Sequence, residues 1–131
     1  MEVAYLAGLF DGEGCIKIQH NKGGYGLSIT IQMYCKEIIY KIQESFGGSA
    51  GGPYGKNRKK YSWQVNGNDV GRILNLITPY LIEKKEQAEL ALDYVKTIGC
   101  GYRGRTRRTE TEKNLQELYR IKMQYLKEVI L

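Results

Sequence analysis

Asp11 and Glu13, interleaved with Gly12 and Gly14, close the segment Ala4-Tyr5-Leu6-Ala7-Gly8-Leu9-Phe10-Asp11-Gly12-Glu13-Gly14. The segment reads as a helix, and the acids fall where it should end. A helix C-terminus carries partial negative charge from its free carbonyls, so acids there repel it unless a cation is also present. The chemistry this points to is oxygen-ligated metal binding. A thiol or imidazole site finds no support. Cys15, Cys35 and Cys100 make no C-x-x-C pair, and His20 is the only histidine. Neither a zinc site nor a disulfide framework follows, and a reducing compartment fits best.

The helix that would position these acids is predicted over about Glu2 to Gly12. Ala4, Gly8 and Gly12 recur along it at i, i+4 and i+8, with Ala7 alongside. On a helix that is one stripe nearly bare of side chains, against which a second backbone could lie closely. Gly12 and Gly14 are expected to terminate it.

The whole chain, 1–131, is long enough for one domain with its own core. Twenty Lys and Arg against 14 Asp and Glu give a net charge of +6, which favours a polyanionic partner. No apolar run approaches the roughly 20 residues of a membrane span. The first helix begins within a few residues of Met1, so no cleaved signal peptide is expected. The expected location is the cytoplasm, at the nucleoid, or an organelle matrix if the protein is organelle-encoded.

Beyond the first helix, Cys15 to Asn21 alternates with period two, setting Ile16 and Ile18 against Lys17, Gln19 and Asn21. Lys22 to Tyr25 supplies a hairpin turn. Leu27 to Tyr34 alternates again, with Leu27, Ile29, Ile31 and Met33 on one face and Ser28, Thr30, Gln32 and Tyr34 on the other. A helix is predicted over Lys36 to Phe46, stopped by Gly47-Gly48. A strand follows over Ser49 to Lys56, weakened by its glycines and Pro53. Gly55 to Lys60 reads as a basic hairpin tip, and Tyr61 to Val65 as a strand with Ser62 and Gln64 outward. Helices are then expected over about Val70 to Ile77 and Lys84 to Thr97. After a loop rich in Gly and Arg, Thr109 and Glu112 form a capping box. The last helix runs to about Val129, with Leu115, Leu118, Leu126 and Val129 on one side.

An antiparallel sheet packed on helices through its apolar face must turn its other face to solvent or ligand. Here that face carries Lys, Gln, Asn, Ser, Thr and Tyr, and no acid occurs from Cys15 to Tyr34. A β-ribbon of this chemistry suits the DNA major groove.

The run Leu6-Ala7-Gly8-Leu9-Phe10-Asp11-Gly12-Glu13-Gly14 resembles the defining motif of the LAGLIDADG homing endonucleases at all nine positions, with Phe for Ile, Gly for Ala and Glu for the second Asp. The flanks agree with it. Pro79-Tyr80-Leu81 and Lys84-Lys85-Glu86-Gln87-Ala88 also resemble the family segment that bears a basic active-site residue. The resemblance implies an α+β fold of αββαββα order. Its four-stranded antiparallel, saddle-shaped sheet packs on helices, and here an additional C-terminal helix follows. It implies a site-specific double-stranded DNA endonuclease, encoded in an intron or an intein. A single motif implies a homodimer acting on a long pseudo-palindromic site. The stripe of Ala4, Ala7, Gly8 and Gly12 is then the dimer interface, an isologous contact. A maturase-type RNA-binding protein, or a non-cleaving DNA-binding relative, is the alternative.

Residue by residue, the resemblance makes Glu13 the catalytic metal ligand, helped by a carbonyl of Gly12 or Gly14. The cofactor implied is Mg²⁺, for which Mn²⁺ or Ca²⁺ can stand in. Asp11 takes a supporting role. Lys84 matches the catalytic lysine, with Lys85 as the fallback. The family's polar residue near the end of the second strand falls at or near Cys35, so Gln32 or Lys36 would have to substitute. DNA reading falls to Lys17, Gln19, Asn21, Ser28, Thr30, Gln32, Tyr34, Ser62 and Gln64. Lys56, Arg58, Lys59 and Lys60, and the loop from Arg103 to Arg108, are suited to phosphates.

Overall fold

A computed structural model describes residues 1–99 and 108–129. Helix α1 (Val3–Glu13) leads directly into strand β1 (Gly14–Asn21) and its hairpin partner β2 (Gly24–Met33). Helix α2 (Lys36–Phe46), strands β3 (Ser49–Tyr54) and β4 (Lys60–Asn66), and helix α3 (Asp69–Ile77) follow. A 3₁₀ turn (Thr78–Tyr80), helix α4 (Lys85–Thr97) and helix α5 (Glu110–Val129) complete the order. The four strands form one antiparallel sheet in the order β1-β2-β4-β3. Among the described residues no helix is long and apolar enough to cross a membrane.

Alternation fixes which face of the sheet is buried. The register pairs Ile16 with Ile29, Ile18 with Leu27, Ile29 with Val65 and Ile31 with Trp63. All these side chains are buried. The helices cover them with Leu6 and Phe10 of α1, Ile39 and Ile42 of α2, Ile73 and Leu74 of α3, and Ala88 and Ala91 of α4. Each large apolar side chain sealed here contributes about 1.5–3 kcal/mol. Trp63 lies at the centre, and its indole N–H donates to the Gly47 carbonyl at 2.7 Å. Gly47 and Gly48, at φ of 80° and 88°, carry the chain from α2 into β3.

Helix α5 closes the remaining side of the molecule, against α4 and the edge strand β1. Its start matches the capping box: the Glu112 N–H donates to Thr109 Oγ1 at 3.1 Å, and the Thr109 N–H donates to Glu112 Oε1 at 3.4 Å. Its buried face differs from the expected one. Tyr119 and Met123 face inward, whereas Leu118 is 56% exposed. Polar anchors settle the rotation. Tyr119 donates to Asp93 at 2.5 Å, Gln116 donates to the Tyr94 hydroxyl at 3.0 Å, and the Tyr25 hydroxyl of the hairpin donates to Glu117.

The end of α1 also differs. The helix passes through Gly12 and stops only after Glu13, and Gly14 is an extended cap at φ −79° rather than a left-handed one. Gly14 is required for another reason. A Cβ there would lie 2.3 Å from the Phe10 ring, which packs under the turn into β1. Strand β3 is shorter than expected and ends at Tyr54, so Lys56 falls in the turn, while Lys60 opens β4. Cys100, Arg103, Arg105 and Arg107 lie outside the described residues.

Candidate active site

Asp11 and Glu13 part company in the structure. The Asp11 carboxylate points back into the protein, toward the first turn of α4. It accepts the backbone N–H of Ile82 at 2.8 Å and of Lys84 at 3.0 Å. Lys84 is the N-cap of α4, so a negative charge here meets the positive end of that helix. Burial works against ionisation. The N–H groups of Lys84, Ile82 and Glu83, with the Lys84 charge, outweigh it and hold Asp11 below the usual carboxylate range. One of the two seemingly misplaced acids is therefore satisfied by a second helix, with no metal. Asp11 fastens the end of α1 to the start of α4.

The Lys84 side chain completes this junction from the other direction. Its ammonium donates to the Asp11 carbonyl at 2.6 Å, supplying a cation to the C-terminal turn of α1. The Phe10 carbonyl in that turn accepts the Gly14 N–H. The Gly12 carbonyl comes next. Lys84 thus stands within the same turn as Glu13, whereas its neighbour Lys85 is exposed at the first position of α4.

Glu13 faces solvent, and its carboxylate has no hydrogen bond or ion pair among the described residues. Its chemistry suits a hard divalent cation, and so does the Gly12 carbonyl beside it. One carboxylate is too few. Among the described residues no group of three His, Cys, Asp or Glu side chains converges as a metal site. A complete oxygen shell would need further donors, such as water, phosphate oxygens or a second carboxylate.

The small-residue stripe divides. Ala4, Gly8 and Gly12 are exposed, and Tyr5 beside them is 52% exposed. A Cβ built on Gly8 or Gly12 would meet nothing within 4 Å. Glycine inside a helix costs about 1 kcal/mol relative to alanine, and nothing within the protomer requires it at either place. Ala7 is a correction. It is fully buried with Leu6 and Phe10, because it lies on the helix face turned to the sheet. Ala7 belongs to the protomer's core and not to an interface.

The outer face of the sheet presents Lys17, Gln19, Asn21 and Gln32 fully, and Thr30 and Ser62 half-buried. Ser28 is a second correction: it is 7% exposed. It lies on a central strand between Lys17 and Asn66, and a side chain that short is overshadowed by such neighbours. Gln64 is exposed, and its amide donates to Asn66 Oδ1 at 2.7 Å. Tyr34, 69% exposed just past the end of β2, shares a cleft with Tyr54, Lys56, Lys59 and Lys60 of the basic turn. Arg58 crowns that turn in a left-handed conformation, at φ 47°. Arg108 is turned inward, its guanidinium on the Ile98 and Gly99 carbonyls and on Glu112.

Near the end of the second strand, Cys35 is the exposed N-cap of α2, and the Lys36 ammonium lies 5.8 Å from the Tyr40 ring centroid. Two polar residues that the sequence reading passed over stand on the other side, next to Lys84. Gln87 lies one helical turn further along α4, and Lys127 arrives from α5. The i, i+3 spacing from Lys84 was a readable signal for Gln87. Nothing local marks Lys127.

The model of the family described as LAGLIDADG endonuclease matches residues 6–100. No curated protein sequence matches this one. Among solved structures, the homing endonuclease I-CvuI in complex with its target in the presence of calcium is 24% identical. The match covers 95% of this chain and 80% of that one, at a TM-score of 0.77. The I-LtrWI LAGLIDADG homing endonuclease bound to target DNA is 21% identical over 94% of this chain and 44% of that one, at a TM-score of 0.69. The archaeal intron-encoded homing endonuclease I-Vdi141I, complexed with DNA, is 16% identical over 91% and 96% of the two chains, at a TM-score of 0.59. These likenesses establish the fold.

Proposed function

The chain belongs to the LAGLIDADG endonuclease family, and we propose that it cuts double-stranded DNA site-specifically as a homodimer joined through the exposed stripe of α1. One observation carries this reading. The stripe of Ala4, Gly8 and Gly12 and the unpartnered carboxylate of Glu13 lie on the same helix, and the protomer uses neither. Pairing two copies of α1 brings two Glu13 carboxylates together at one end. Carboxylates so placed repel one another, and that repulsion makes the site a ligand for divalent cations. I-CvuI has been crystallised with DNA in the presence of calcium and of magnesium, in keeping with such a site.

Glu13, with the Gly12 carbonyl, would hold the cation. When bound, it supplies charge for the phosphate oxygens and lowers the pKa of a water. The chain's own residues do the remaining work. Asp11 stays ionised and bonded to the start of α4, which fixes the direction in which the last turn of α1 presents Glu13. The Lys84 ammonium lies in that turn and can turn from the Asp11 carbonyl to the charge that builds on the phosphate. Lys17, Gln19, Asn21 and Gln32 on the exposed sheet face meet base edges, and Lys56, Arg58, Lys59 and Lys60 meet phosphates. A two-fold protein calls for a long, pseudo-palindromic site.

Glu13→Gln keeps the shape and removes the charge. Cleavage of a duplex selected from a randomised library, in Mg²⁺, should fall by at least about 10²-fold while affinity for that duplex persists. Cleavage at the parent rate would remove Glu13 from the chemistry.

A further inference from the structure

Beside the end of α1 is a small cleft walled by Gly14, Cys15, Glu83, Lys84, Gln87 and Lys127. Gln87 is 4% exposed, and its amide has no hydrogen-bond partner among the described residues. The little surface it retains opens on this cleft. Neither polar atom of that amide is sealed from solvent, so each can still meet water or a ligand. Leucine or methionine would fill the same volume on α4 with no amide to solvate. A largely buried side chain whose remaining surface opens on a cleft is placed to meet a ligand there.

The other walls indicate what that is. Lys127 reaches across from α5, and its ammonium lies 3.6 Å from Cys15 Sγ. Thiol sulfur is a weak acceptor, so the ammonium keeps donors to spare. Lys84 lines the cleft as well, its ammonium on the Asp11 carbonyl. Glu83 is exposed, and against two lysines it leaves the cleft with an excess of positive charge. Two ammonium groups and an amide N–H₂ make a donor-rich set. It repels a cation and suits a tetrahedral oxyanion. Gly14, which directly follows Glu13, forms one wall with no side chain to block the way in.

We infer that this cleft is a phosphate pocket, in which Gln87 and Lys127 hold the non-bridging oxygens of the phosphodiester that is cut beside Glu13. The inference rests on the endonuclease reading and adds two residues to it, one of them from the C-terminal helix. Gln87 binds the phosphate through its amide N–H₂, while Lys127 balances its charge.

Two measurements test it. In the first, the side-chain amide signals of ¹⁵N-labelled protein are followed while inorganic phosphate is added, with Gln87→Met identifying the Gln87 pair. Those signals should move saturably, and Lys127→Gln should weaken the response several-fold. Gln87 signals that stay in place overturn the pocket. In the second, single-turnover cleavage of the selected duplex is compared among variants. Gln87→Met and Lys127→Gln should each cut roughly 10- to 150-fold more slowly, the range of a hydrogen bond to a charged group. Gln87→Met should melt no lower than the parent, because it removes an unpartnered amide; a structural glutamine would lower the melting temperature together with the rate. Lys122→Gln, the same charge change on another part of α5, should cut like the parent. Cleavage by both cleft variants at the parent rate sinks the inference and leaves the endonuclease reading intact. A parent that cuts no duplex while Gln87 still answers phosphate sinks the endonuclease reading and leaves an anion pocket.

Discussion

The two sides of α1 obey different rules. Leu6, Ala7 and Phe10 are fully buried, and each is explained by what it touches inside the protomer. The ring of Phe10 even dictates that residue 14 has no side chain. Ala4, Gly8 and Gly12 are exposed, and a Cβ added at either glycine would meet nothing within 4 Å. Gly8 and Gly12 weaken the helix they belong to, and the protomer gains nothing in return. The two acids repeat the contrast, since Asp11 is consumed by the chain's own backbone and Glu13 is left over. One side of the helix serves the fold, and the other is free for the proposed partner and substrate.

Phe10→Ala is the harshest way to probe this division. It removes a buried ring and leaves a cavity under the turn into β1, so the protomer should lose about 3–5 kcal/mol in a urea titration. A smaller loss, near that of a surface substitution, would show that this side is not the structural one. Asp11→Asn comes next. It takes the charge from the junction with α4 and turns an amide N–H₂ toward backbone N–H groups, for an expected loss of about 2 kcal/mol. Cleavage should fall with it as Glu13 loses its bearing. Full activity in a destabilised Asp11→Asn protein would separate the two acids completely.

Gly8→Leu should do the reverse. The helix gains about 1 kcal/mol of propensity, so the protomer melts no lower. The proposed dimer should be lost, which sedimentation at micromolar concentration would show. A parent that sediments as a monomer breaks the contrast at its root. Acid provides the mildest test. The pKa of Glu117 is lowered to about 2, through its bonds to Arg120 and Tyr25. A carboxylate depressed on folding contributes stability that is whole above the unfolded value, here 4.5, and drains away as the pH falls toward 2. Glu117→Gln should therefore flatten the acid limb of the stability curve between those limits. Asp11 contributes in the same direction below 3.8.

How much could be read without the structure follows the same division. Period two in Cys15 to Asn21 and Leu27 to Tyr34 located the hairpin, because one face of each strand is buried and one is not. Helix α2 has the expected bounds because its apolar spacing and its stop signal coincide. Misreadings arose where a residue's role depends on distant neighbours. Ala7 looks like its stripe-mates until the sheet is placed beneath it. Ser28 looks exposed until Lys17 and Asn66 flank it. Gly14 does cap the helix, but why it must be bare is plain only once the Phe10 ring is seen beneath it. Around the end of α1, the motif singled out Asp11 and Glu13 and the later segment singled out Lys84, and the structure brings Lys84 onto Asp11. The proposed roles of Gln87 and Lys127 could not be read locally, since one depends on burial and the other on a helix that returns from 40 residues further along.

Trp63 is the only tryptophan in the chain, and it is wholly buried on the core side of β4. Its emission is therefore a private signal of the protomer's interior. Separation of two intact copies should leave the spectrum unchanged, whereas unfolding should shift it to the red. Fluorescence read beside a size measurement would tell apart two events, parting and melting, that a single thermal curve merges.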